Sequence, residues 1–204
     1  MTTPPASPSA KVFSPVKLAE SPCQTQRGNL TGAPRKVKDN VAEIFNTVQK
    51  WNKLHADGVA VLRKISQDIL PDEETKEQSK TTMEALRKNC ELAKDVKDKM
   101  AVLVDGLATV HGQFESLEKL DKLNRTSGEP IFLTWPMSLF VALSKRVYSA
   151  YCNQLALNVH IVESVAFSTK KSARGMVEIW LYQPCVDPIV NFELECALKE
   201  TGFT

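Results

Sequence analysis

The sequence predicts an all-α fold: an elongated, coiled-coil-like hairpin of long helices, a small C-terminal helical bundle, and a disordered N-terminal tail. Three observations predict it. Apolar residues recur every three or four positions through two long stretches, the period of a helix face. No segment alternates apolar and polar for long enough to make a sheet. Six of the eleven prolines are confined to the first 34 residues, leaving the stretches behind them nearly free of helix breakers.

The tail, residues 1–34, has few large apolar side chains. It cannot bury enough surface to offset the entropy of ordering it, so disorder is expected. The region 35–124 follows. From Val37 through Val41, Ile44, Val48, Trp51, His55, Gly58, Leu62 and Ile65 to Ile69, the steps alternate four and three. His55 and Gly58 break the apolar run and suggest a close approach or a kink. Pro71 ends or bends this first helix, whose ~35 residues would span about 50 Å. Asp72, Glu73 and Glu74 suit the N-terminal dipole of a second helix. Its stripe runs from Met83 through Leu86, Cys90, Ala93, Val96, Met100, Leu103, Leu107, Val110, Phe114 and Leu117 to Leu120. Unbroken, it would reach about 80 Å, twice the width of a compact body of this size. Either it breaks, before Met83 or at Gly106 or Gly112, or the protein is elongated.

Residues 125–133 read as a linker, and 134–204 as the C-terminal helices. Thr134 is placed as an N-cap with Pro136 in the first turn of a third helix. A fourth helix holds Met176, Ile179, Trp180 and Leu181 and stops at Pro184. Asp187-Pro188 is an N-cap and N1 pair for a fifth, with Gly202 near its C-cap.

Composition narrows the function. The chain of 204 residues carries 26 basic and 24 acidic residues, a net of +2, without the basic excess of a dedicated nucleic-acid binder. No apolar run approaches the ~20 residues that cross a bilayer. Five cysteines, an odd number without a CxxC pair, fit reduced thiols better than a disulfide framework. The three histidines lie apart from one another and from cysteines, so no metal is expected. Phosphate-loop, dinucleotide, zinc-protease and nucleophile-elbow motifs are all missing, so no catalytic residue and no cofactor is assigned. The carboxylates Glu193 and Glu195 beside Lys199 read as a solvated face.

Four hydroxyl-proline steps mark the tail as a kinase substrate: Thr3-Pro4, Ser7-Pro8, Ser14-Pro15 and Ser21-Pro22. Ser14 is the strongest acceptor, because Lys17 stands three residues after it, as cyclin-dependent kinases prefer. Each phosphate would add ~−1.5 to −2 charge and reverse the tail's sign. Arg35-Lys36-Val37-Lys38 is a small basic cluster that could serve nuclear import. Val41, Ile44, Val48, Trp51, Leu62 and Ile65 are assigned as a seam for a partner chain. Trp135, Pro136, Trp180, Gln183 and Pro184 are assigned a structural role, locking the corners of the C-terminal bundle.

These residues also fall into a recognisable order. Arg35-Lys36-Val37-Lys38-Asp39-Asn40 leads into a helix with Trp51 and Asp57-Gly58. Asp105-Gly106-Leu107, Thr134-Trp135-Pro136, Trp180-Leu181-Tyr182-Gln183-Pro184 and Glu200-Thr201-Gly202 follow. Over roughly 35–204 the chain resembles the cyclin-dependent kinase 2-interacting protein family, least well at 71–95. That pattern has a tyrosine after Gln-Pro, where this chain has Cys185. The resemblance implies a nuclear, non-enzymatic adaptor linked to cyclin-dependent kinase 2 and Cdc7. It further implies the origin recognition complex, the ATR-interacting protein, and AAA ATPases acting on replisome and pre-60S ribosomal particles, with a small helical partner chain. Neither direct nucleic-acid contact nor a membrane is expected. The rival reading is a structural coiled-coil subunit of a cytoskeletal or kinetochore complex, dimeric on its own.

Overall fold

The computed structural model describes residues 30–69, 76–123 and 128–203, with backbone alone over 76–79. Five α-helices follow in order: α1 (Gly32–Asp68), α2 (Lys76–Leu123), α3 (Met137–Ser164), α4 (Lys170–Tyr182) and α5 (Pro188–Glu200). A 3-10 turn, Val165–Phe167, extends α3. Among the described residues there is no strand, only one isolated bridge between Pro130 and Pro136. The all-α expectation holds. Of the tail, residues 1–29 lie outside the described residues, as do Pro71 and the Asp72–Glu74 run; Gly32–Pro34, assigned to the tail, instead form the start of α1.

The long stripes form helices because nothing in them breaks the backbone ladder. α1 carries Arg35 and Asp39 as an exposed ion pair one turn apart. It ends where Ile69 turns extended while still donating to the Ile65 carbonyl at 3.1 Å. α2 runs 48 residues without a break, through both Gly106 and Gly112. It is therefore about 72 Å long, and the elongated alternative is the one realised. Its first turns run beyond the level of Asp68, which pairs with Asn89 at 2.7 Å. That overshoot leaves Met83 at 56% exposure.

Side-chain contacts fix the topology. Phe114 stacks with Phe140, His111 meets Ser144 at 3.0 Å, and Asn158 reaches Met100, so α3 runs antiparallel to α2. Trp51 meets Gln183, Trp180 meets His55, and Lys38 sits over Phe203, so α4 and α5 descend α1 one after the other. Arg146–Glu193 and Gln154–Cys185 place α3 beside the same descending pair. The arrangement is an up-down-up-down bundle of four columns, the fourth broken between α4 and α5. Thr31–Thr204 is one compact unit.

The core runs the length of this bundle, and it overturns one assignment. Val41, Ile44, Val48, Trp51, Leu62 and Ile65 are each 4% exposed or less. They pack in one cluster with residues of every other column, including Met100, Tyr151 and Trp180. The predicted partner seam is this chain's own core. Periodicity marks a buried face without saying which polypeptide buries it, and here α2 to α5 fold back over the stripe. Each such side chain contributes ~1.5–3 kcal/mol by leaving water. Thr134 is a second correction. It caps nothing: Pro136 is the N-cap of α3, and Thr134 is held by Glu200 instead.

Candidate interaction site

The break in the fourth column is built from sequence upward. Pro184 has no amide hydrogen and pushes the residue before it out of the helical region. Gln183 adopts φ 45 and ψ 61, a left-handed conformation that costs a non-glycine residue about 1 kcal/mol or more. Its side chain offsets that strain: Oε1 accepts the Trp51 indole N–H at 2.7 Å. A single turn then interrupts the helix, the Val186 N–H donating to the Gln183 carbonyl at 2.9 Å. Asp187 restarts the helix by accepting the Ile189 N–H at 2.8 Å, with Pro188 in the first turn, as the sequence predicts.

A broken helix leaves backbone donors inside the bundle, and they must be satisfied. The Cys185 N–H donates to Gln154 Oε1 at 3.1 Å. Gln154 Nε2 donates to Asn158 Oδ1 at 2.9 Å, and Asn158 Nδ2 contacts the Met100 sulfur at 3.7 Å. Gln154 and Asn158 are fully buried. Polar contacts therefore link α1, the elbow, α3 and α2. Such a satisfied network rigidifies the level at which it sits.

Trp180 closes the elbow from the α4 side. Its Nε1–H donates to the His55 carbonyl at 3.2 Å, where the seam is interrupted. The indole lies directly against Gly58: a Cβ there would sit 2.4 Å from Trp180 Cζ2. The close approach expected at Gly58 is thus filled by a tryptophan. Trp51 meets Tyr151 edge to face at 5.1 Å. Burial pushes the Tyr151 phenol up to about 12. Burial also lowers the His55 pKa, which the Leu181 backbone partly opposes. His55 Nδ1 is buried without a partner among the described residues.

The outer side of the elbow differs. Ile179 is 43% exposed, Tyr182 76%, Ile189 61% and Phe192 66%. Counting about 100° per residue from the core-facing residues Ala173, Val177 and Trp180, then from Val190, Leu194 and Ala197, the four share one side of the column. They form a single ridge crossing the elbow. Between the exposed cations Arg174 and Lys199 the column contains Glu178, Asp187, Glu193 and Glu195 and no other lysine or arginine. Glu193 is paired with Arg146 at 2.8 Å, while Glu178, Asp187 and Glu195 stand exposed.

A second lock holds the bundle's other end. Glu200, 7% exposed, accepts from the Thr134 amide, from Thr134 Oγ1 at 3.0 Å and from the Trp135 amide at 2.8 Å. The segment before α3 is thereby drawn onto the end of α5. Trp135 and Phe132 both pack on Phe140, at 5.2 and 6.1 Å.

The predicted structural residues thus fall into two separate places. Trp180, Gln183 and Pro184 build the elbow, and Trp135 and Pro136 the Glu200 corner. Ser14, Ser7, Ser21 and Thr3 lie outside the described residues. Sequence reasoning missed Gln154, Asn158 and Glu200. The signal for the first two was present, since Gln154 and Asn158 continue the apolar spacing of Val147 and Tyr151 and so occupy core positions.

The fold and the elbow define a class: a self-covering helical bundle in which a buried polar and aromatic lock fixes an outward apolar ridge. Comparison with known proteins narrows it. The chain is 28% identical to the cyclin-dependent kinase 2-interacting protein of Mus musculus over 193 residues, covering 85% of this chain and 91% of that protein. The proteins of the same name from Homo sapiens (28% over 194 residues) and Xenopus laevis (27% over 188) match with the same coverage. The chain is a relative of these proteins along most of its length and theirs. No family model matches it.

Proposed function

We propose that this chain is a non-enzymatic adaptor that binds cyclin-dependent kinase 2 in the nucleus. The observation that carries the proposal is the name shared by relatives that match 85% of the chain. In the finer proposal the adaptor also connects Cdc7, origin-bound replication factors and ATR checkpoint signalling, and serves as a subunit of a AAA-ATPase assembly acting on replisome and pre-60S particles. That part rests on the motif resemblance alone.

Burial of the α1 stripe removes the interface first assigned to the adaptor. It equally removes the interface of the rival coiled-coil dimer, which needs the same residues outside. The adaptor reading keeps a physical basis in the apolar surface at the elbow. To test it, the immobilised full chain is titrated with purified cyclin-dependent kinase 2, alone and cyclin-bound. Saturable binding is expected. No binding of either form, before or after phosphorylation of the tail, overturns the kinase assignment.

A further inference from the structure

We propose that the ridge Ile179–Tyr182–Ile189–Phe192 is a docking surface for a basic amphipathic helix of a partner protein. The inference rests on the adaptor reading but not on the identity of the kinase.

The ridge has the size of a recognition surface. Its two rings, of ~150–250 Å² each, expose together on the order of 300 Å². Contiguous apolar surface of ~300–600 Å² on a soluble domain is commonly functional. It is also shaped for a helix. Gln154 and Arg146, eight residues apart on α3, meet Cys185 and Glu193, so the column extends about 12 Å from the elbow to the level of Phe192. The side chains sit in two pairs, each three residues apart, with the elbow between them. A partner helix that repeats the i, i+3, i+4, i+7 spacing over about four turns can cover both pairs.

Charge selects the partner. Exposed Glu178 and Glu195 flank the ridge on the side of Tyr182 and Phe192, and Asp187 stands at the elbow. The one carboxylate on the other flank, Glu193, is neutralised by Arg146. Arg174 and Lys199, exposed one turn beyond Glu178 and Glu195, bound this field at its two ends, and between them the column carries four carboxylates and no lysine or arginine. A helix with Lys or Arg beside its apolar row gains from these carboxylates, and one with Asp or Glu there is repelled. The frame is ready for either. Gln183, Trp51, Trp180 and Gln154 lock the elbow from inside, so little ordering cost remains on this side of the complex.

The test uses the full chain and two fluorescein-labelled 18-residue peptides. Both carry leucine at the i, i+3, i+4, i+7 spacing, one with lysine flanks and one with glutamate flanks. The lysine peptide is expected to bind at least tenfold more tightly. The double variant Tyr182→Glu/Phe192→Glu is expected to lose that binding tenfold or more with an unchanged melting temperature. Val102→Glu, 68% exposed on α2, should leave it intact. The conservative Tyr182→Leu/Phe192→Leu should retain it, and Glu178→Lys/Glu195→Lys should shift preference toward the glutamate peptide. Three outcomes overturn the inference: no binding of the lysine peptide, equal binding of both peptides, or binding indifferent to Tyr182 and Phe192. A fourth is concentration-dependent dimerisation abolished by the double variant, which would make a second copy the occupant. Kinase binding is measured separately, so either reading can fail alone.

Discussion

Gly58→Ala sets two physical effects against each other, and the structure decides the sign. In a helix interior, alanine is ordinarily better than glycine by ~0.8–1.0 kcal/mol. At Gly58 the new methyl would meet Trp180 Cζ2 at 2.4 Å, Cε2 at 2.7 Å and Nε1 at 2.8 Å. Those are atoms of a rigid ring that is itself 1% exposed. The ring must move, and overpacking of this kind costs ~1–3 kcal/mol. Moving it also pulls Nε1 from the His55 carbonyl, and an unsatisfied buried donor costs a further ~1–3 kcal/mol. The net expectation is a loss of roughly 1–5 kcal/mol, a fall in melting temperature of at least ~2–4 °C. Gly106→Ala and Gly112→Ala are the controls, since nothing lies within 4 Å of either added Cβ. They should stabilise by up to ~1 kcal/mol each. Urea unfolding followed by helical circular dichroism measures all three. If Gly58→Ala matched or exceeded wild type in midpoint, the packing of Trp180 on α1 would be refuted.

Three further expectations follow from the same contacts. Glu200→Ala strands the Thr134 and Trp135 amides and should cost about 3 kcal/mol, with Glu200→Gln recovering part as a neutral acceptor; chemical denaturation of the two variants checks this. His55 is held below its ordinary 6.5 by burial, so the unfolded chain binds the proton more readily. Its contribution to stability is complete above pH 6.5 and is lost as pH falls from there through the depressed folded value. His55→Gln should flatten the melting temperature between pH 7.5 and 5.5 relative to wild type, and an unchanged slope would remove His55 as its source. Val48→Glu places an unpaired charge at a site 4% exposed. It should unfold or melt the bundle by several degrees, seen by calorimetry, rather than selectively remove a partner from an intact chain.

Several features of the fold were legible because they rest on local rules. Asp187-Pro188 announced a helix start through capping and a preset φ. Pro184 announced a stop. The stripes announced which faces leave water. Thr134 shows the limit of such rules. Its hydroxyl suits a cap, but a carboxylate 66 residues away competes for it, and nothing local reports Glu200. The ridge was hidden for a similar reason. In the sequence Ile179 is one more apolar position of the fourth helix. Only the inward placement of Ala173, Val177 and Trp180 shows that it points away.

By itself the sequence determined that the chain is helical, where α4 ends and α5 begins, and that α1 carries a face to be buried. Those properties follow from backbone sterics and from the period of apolar residues, both short-range. The tertiary structure alone decided what buries that face. It closed α2, α4 and α5 over α1, with Tyr151 of α3 against Trp51, and turned a predicted partner seam into core. Hydrophobic burial is non-directional, so a stripe accepts any apolar surface that reaches it. Here the chain's own later helices, held in place by Trp51, Gln183 and Gln154, reach it first.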